Sequence, residues 1–320
     1  MLAVKLVLLL LFSYLLIKAI DVLILSVNKL AEISRLGKFA ISALILALAT
    51  SLPELVVGIT SALSGNSQMA LGIVLGSNIA DISLVIGGAA VVGRSFSVAG
   101  QWLKVDIFSV FLAGALPLVL LLDNYLSRSD GLILLAVFCL YYYSVLHRKI
   151  TGSRHSSRLL RPMLDRPVVH RSGRWILKLL LAALVLVFSA EMMVRLGTAI
   201  AQELKVSAFL IGLFLVAVGT SLPELSFEIE SIRKRQVGMA LGDLFGSVVA
   251  NSTLILGLVA LISPIRLAHG WQEYGLAAAA FGVIFLLFWG FIRSKKKLEW
   301  WEGLILIAAY LVFVMLEWNK

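Results

Sequence analysis

Sulfur chemistry is nearly absent from this chain: among 320 residues there is one cysteine, Cys139, and it lies in an apolar run. A single thiol excludes both a disulfide framework and a thiolate metal cluster. Charge is also scarce, at 14% of residues, where ordinary soluble domains carry about 25%. That deficit excludes a water-soluble globule. The alternating pattern of a transmembrane barrel is missing as well. What is present is apolar: 60% of residues are hydrophobic and the mean hydropathy is +1.00. Repeated apolar runs of about twenty residues point to a polytopic helical membrane protein, in which helices satisfy the backbone internally.

Runs long enough to cross about 30 Å of hydrocarbon occur ten times, at 3–26, 38–64, 68–93, 104–122, 130–147, 175–202, 207–231, 238–263, 271–293 and 301–318. The first starts close to Met1 with no small-residue cleavage site after it, so it reads as a retained span. Of the 28 Lys and Arg, 20 fall in the loops after spans 1, 3, 5, 7 and 9, and five (Lys5, Arg128, Lys205, Arg266, Lys320) fall on the other side. The positive-inside rule then predicts a multi-pass protein of the cell membrane with both termini outside the cytoplasm. The segment 148–174 holds eight basic residues and one acid, Asp165. It reads as a cytoplasmic linker between 1–147 and 175–320, with anionic-lipid binding as the alternative. No fold supports nucleic-acid binding, and no obligatory protein partner is evident.

The two flanking halves repeat. Residues 39–87 align with 209–257 without a gap at an offset of 170, with 20 of 49 positions identical. Ala47-Leu-Ala-Thr50-Ser51-Leu52-Pro53-Glu54 matches Ala217-Val-Gly-Thr220-Ser221-Leu222-Pro223-Glu224, and Gly76-Ser77-Asn78-Ile-Ala80-Asp81 matches Gly246-Ser247-Val248-Val-Ala250-Asn251. Asp21 in span 1 has its counterpart in Glu191. Five spans per half is an odd number, so the second half is expected upside down. The predicted fold is all-α and integral to the membrane, ten transmembrane helices in two inverted five-helix repeats, with spans 2 and 7 broken at Pro53 and Pro223.

Helical spacing puts Ala47, Thr50, Ser51 and Glu54 on one face, and likewise Ala217, Thr220, Ser221 and Glu224. Ser77 with Asp81, and Ser247 with Asn251, are four apart in the spans that follow. Carbonyls, hydroxyls and carboxylates are hard oxygen ligands that suit Ca²⁺, and the lack of nearby His and Cys argues against zinc or copper. Burying Glu54, Asp81 and Glu224 ionised and unpaired costs several kcal/mol each, and neither motif holds a Lys or Arg. Switching between states then requires Ca²⁺ or compensating monovalent cations, which favours obligatory exchange over a channel. Gly72, Gly76 and Ala80, repeated as Gly242, Gly246 and Ala250, form small-residue stripes for close helix packing.

At these motifs the chain resembles the cation/calcium exchanger superfamily, and its Thr-Ser-Leu-Pro-Glu wording is most similar to the sodium/calcium exchanger branch, including short prokaryotic members. The resemblance implies a secondary antiporter exchanging Ca²⁺ for Na⁺ by alternating access. It further implies Glu54 and Glu224 as central Ca²⁺ ligands, with Thr50, Thr220, Ser51, Ser221, Ser77, Ser247 and the carbonyls of Ala47 and Ala217 serving Ca²⁺ or Na⁺. No cofactor is expected; the partners are inorganic cations and the bilayer. The proton/calcium branch typically carries Gly-Asn-x-x-Glu instead, so H⁺/Ca²⁺ exchange, or exchange of another divalent ion, is the alternative. Two departures stand out: Asp81 and Asn251 are exchanged relative to the Asn and Asp of prokaryotic sodium/calcium exchangers, and Ala49 replaces a usual glycine. An intramembrane hydrolase would use paired Asp, so no enzyme is expected. Glu228 and Asp243, whose counterparts are Gly58 and Ile73, suggest an acidic cytoplasmic approach to the site. The competing expectation places them at the membrane edge, paired with Arg233, Lys234 or Arg235.

Overall fold

A computed structural model describes residues 2–34, 51–98, 103–152, 169–267 and 270–319. They are almost wholly helical: α1 Leu2–Ser34, α2 Leu52–Leu63, α3 Ser67–Gly93, α4 Leu103–Leu120, α5 Arg128–Gly152, α6 Val169–Leu204, α7 Ala208–Thr220, α8 Leu222–Arg233, α9 Val237–Ile262, α10 Trp271–Lys295 and α11 Trp300–Trp318. Among the described residues, six helices are long and apolar enough to cross a membrane: α1, α3, α6, α9, α10 and α11. The pair α7 and α8, bent by 41°, makes a seventh if taken as one broken span. The expected spans 4 and 5 fall on α4 and α5. Span 2 falls on α2 and on residues 38–50, which lie outside the described residues.

The break between α7 and α8 falls at Ser221 and not within a kinked helix. Ser221 has φ −85° and ψ 5°, and Ser51, before α2, has φ −81° and ψ 5°. Each proline then sits in the first turn of the helix that follows, where a missing N–H costs no helical hydrogen bond. The motif is thus a hinge followed by a fresh helix start.

Helices α3 and α9 are the most enclosed of the crossing helices, and both widen into π-helix, at Asp81–Val85 and Ala250–Ile255. Ser83 Oγ donates to Ile79 O in the first, and Thr253 Oγ1 donates to Val249 O at 2.5 Å in the second. These are equivalent positions at the 170 offset. Positive φ recurs likewise, at Gly65 (75°) between α2 and α3 and at Arg235 (59°) between α8 and α9.

Short strands clasp the halves. β1 Phe96–Ser97 pairs antiparallel with β4 Lys297–Leu298, and β2 Tyr125–Leu126 pairs antiparallel with β3 Ile265–Arg266. Each clasp joins a strand of the first half to one of the second.

Two apolar clusters form the interior. The larger draws on α3, α4, α9, α10 and α11; the smaller joins α1 and α6 to Val57, Met69, Ile73, Ile211 and Val216. Asp21 and Glu191 lie on this α1–α6 pair and are each matched by a cation of their own helix, Lys18 at 3.1 Å and Arg195 at 2.7 Å. The stripe of Gly72 and Gly76 sets α3 against α7. A Cβ at either glycine would collide with the carbonyl oxygen of Phe209 or of Leu213, so only glycine permits this approach.

Candidate cation site

The hinge at Ser51 and at Ser221 starts a helix whose first turn carries Glu54 or Glu224. The amide dipoles of a helix N-terminus favour a negative side chain there. The π-turns of α3 and α9 begin beside the remaining polar pair: Asp81 opens one and Asn251 is the second residue of the other. Widened turns of this kind recur at functional sites because they re-aim the side chains they carry.

The structure brings these residues inside. Ser51, Glu54, Ser77, Asp81, Thr220, Ser221, Glu224, Ser247 and Asn251 are all buried, none above 4% exposure. Ser77 Oγ donates to Glu54 Oε1 at 3.3 Å. Thr220 also faces Glu54, and Ser221 faces Asp81. Coulombic repulsion links Glu54, Asp81 and Glu224 to one another. Six polar atoms, Ser51 Oγ, Glu54 Oε2, Asp81 Oδ1, Ser221 Oγ, Glu224 Oε2 and Asn251 Oδ1, are buried without a hydrogen-bond partner. All six are oxygens. A buried acceptor left unsatisfied is costly, so a cluster of them fits a ligand that offers positive charge and no lone pairs.

Among the described residues no group of three or more His, Cys, Asp or Glu side chains converges as ready-made metal ligands. A cation held here would therefore draw on hydroxyl, amide or backbone oxygens as well as carboxylates. The carbonyl of Ala217 already accepts from Ser221 N at 2.9 Å and from Thr220 Oγ1 at 3.0 Å. Its use as a ligand requires the Thr220 hydroxyl to rotate away. Ala47 and Thr50 lie outside the described residues.

Glu228 and Asp243 are buried, at 1% and 4% exposure. Lys234 is engaged by Glu230 at 2.9 Å. Glu228 lies in electrostatic reach of Asp243 and Asp81, which carries the acidic track toward the central carboxylates. The equivalent space beside Gly58 is apolar, with Ile255 and Val259 against it.

Sequence reasoning missed two residues. Asn78 Nδ2 donates to Ser252 Oγ at 2.7 Å, and Asn251 Nδ2 donates to Asn78 Oδ1 at 3.2 Å, all three residues being buried. Their repeat counterparts, Val248 and Ile82, are apolar, so matching the halves could not reveal them. The available signal was a polar residue directly after Ser77 on a helix otherwise lined with small and aliphatic residues.

The sequence matches the family described as sodium/calcium exchanger protein over residues 4–146 and 175–319. It is 31% identical over 280 residues to the inner membrane protein YrbG of Escherichia coli, covering 86% of this chain and 85% of that one. It is 25% identical over 348 residues to the sodium/calcium exchanger MaX1 of Methanosarcina acetivorans, covering 98% and 99% of the two chains. Among solved structures, the sodium-calcium exchanger NCX_Mj soaked with Na⁺ and Sr²⁺ matches at a TM-score of 0.62 and 26% identity, over 98% of this chain and 99% of that one.

Proposed function

The chain belongs to the sodium/calcium exchanger protein family, and from that premise we propose that it is a secondary antiporter exchanging Ca²⁺ for Na⁺ by alternating access. MaX1 and NCX_Mj are named as sodium/calcium exchangers, and this chain, with six helices long and apolar enough to cross a membrane among the described residues, is a multi-pass membrane protein. The observation that carries the reading is the set of buried, partnerless oxygens on Glu54, Asp81, Glu224, Asn251, Ser51 and Ser221. Carboxylate oxygens drawn from Glu54, Asp81 and Glu224, completed by hydroxyl and amide oxygens, are the hard ligands that suit Ca²⁺, and the same oxygens serve Na⁺. We assign Thr50, Thr220, Ser77, Ser247 and the carbonyls of Ala47 and Ala217 to the same ligand pool.

Ten spans in two inverted five-helix repeats complete the proposal. The recurrences at the 170 offset support it: the two serine hinges, the two π-turns and the two positive-φ connections. The two symmetric strand clasps add to them. The charge asymmetry of the loops supports placing both termini outside the cytoplasm. For alternating access, the element we assign as moving is the α1–α6 pair, which takes no part in the larger apolar cluster and meets α2, α3 and α7 through the smaller one.

The test is an equilibrium titration of the purified protein with Ca²⁺ at rising Na⁺ concentration. A shared site predicts that Na⁺ weakens apparent Ca²⁺ affinity progressively. Ca²⁺ binding that is indifferent to Na⁺ would contradict the proposal.

A further inference from the structure

Asn251 is an amide at the position where the first repeat carries the carboxylate Asp81. The difference matters for orientation. A carboxylate presents an acceptor oxygen whichever way it is turned, whereas an amide presents either an acceptor or two N–H donors. Donors aimed at a cation repel it, so an amide ligand is useful only when something fixes its rotation.

The structure supplies that fixture on one side only. Asn251 Nδ2 is spent on Asn78 Oδ1 at 3.2 Å, and Asn78 is held in turn by donating to Ser252 Oγ at 2.7 Å. Asn251 Oδ1 is left buried and without a hydrogen-bond partner. At the symmetry-equivalent places around Asp81 stand Val248 and Ile82, both fully buried and apolar. The polar lock is therefore present where the ligand is an amide and absent where it is a carboxylate.

We infer that Asn78, supported by Ser252, is a positioning residue that holds Asn251 with its carbonyl oxygen toward the transported cation. This rests on the assignment of Asn251 to the site. Asn78 touches no ion itself; it acts through Asn251. Breaking such an outer partner of a metal ligand typically lowers affinity about 10–100-fold.

The experiment is a double-mutant cycle on apparent Ca²⁺ affinity, read from calcium uptake into proteoliposomes. Asn78→Leu keeps the side-chain size and removes both hydrogen bonds. It is made in the native chain and again beside Asn251→Asp, where both oxygens accept and no orientation is needed. The inference predicts a loss of about 10-fold or more in the native background, and about 2-fold or less relative to Asn251→Asp in the second. Equal losses in both backgrounds would overturn it, since they would mean that Asn78 only packs. Asn251→Ala separates the two layers. If it lowers affinity while Asn78→Leu does not, the lock is wrong and the site stands; if it has no effect, the site assignment fails and the lock with it. Should Asn78→Leu not yield monodisperse protein, Ser252→Ala loosens the same lock and is run through the same cycle, with the same predicted pattern in weaker form.

Discussion

A carboxylate buried without a counter-charge costs several kcal/mol, and at Glu54 and Glu224 the chain bears that cost twice at equivalent places. Glu54→Gln or Glu224→Gln removes the charge and one carboxylate oxygen while keeping the shape. Calcium flux should fall to background in either variant while thermal stability in detergent holds or rises; near-normal flux in either folded variant would remove that residue from the site. These acids were legible in the sequence because duplication set them apart from incidental polar residues. Asn78 and Ser252 were not legible, because their counterparts Val248 and Ile82 are apolar and the repeat therefore carried no mark of them. The carbonyl of Ala217 shows a different limit. Its position was readable, but that Thr220 and Ser221 both donate to it depends on backbone geometry at the hinge.

Helix-scale features were legible where periodicity and composition decide them. The apolar runs mark the long helices, and the proline pair marks the broken span, although the bend lies at Ser221 and leaves Pro223 in the first turn of α8. The π-turns and the two-residue strand clasps had no sequence signature, and each clasp forms only where a strand of one half meets a strand of the other. Close packing makes a sharp prediction at Gly76. Gly76→Val drives a branched side chain into the Leu213 carbonyl, and overpacking of this kind typically costs about 1–3 kcal/mol. A lowered melting temperature in detergent is expected, while Gly238→Ala, with open space around it, should leave it nearly unchanged. The start of α11 carries a pH-dependent fastening. Glu299 accepts from Lys295 and Trp301, each at 2.8 Å, and pairs with Lys297, which holds its carboxyl down to about 2 from the usual 4.5. Because the folded value is the depressed one, the stabilisation is complete above about pH 4.5 and is lost as pH falls toward about 2. Hydrogen-exchange protection in the first turn of α11, taken relative to the intrinsic rate at each pH, should fall through that window, and Glu299→Gln should flatten the response.

On the scale of the whole molecule the two repeats are not equivalent. Buried Glu228 and Asp243 extend the acidic track on the second-repeat side, where the first repeat has Gly58 and buried Ile73. Carboxylates along one approach raise the local cation concentration there, and more so at low ionic strength. In the proposed orientation, with both termini outside the cytoplasm, Glu228→Gln with Asp243→Asn should weaken apparent calcium affinity from the cytoplasmic face, most at low salt, and leave the outer face little changed. Equal losses on both faces would place Asp243 in the central site instead. The central claim is obligatory exchange at an oxygen-only site with no fixed cation of its own. Its most direct test is calcium flux in proteoliposomes under an imposed Na⁺ gradient, repeated under an imposed pH gradient with Na⁺ absent. The account predicts calcium movement against the Na⁺ gradient and little movement in the second condition. Calcium flux driven by the pH gradient alone, or calcium crossing without any counter-ion, would contradict it.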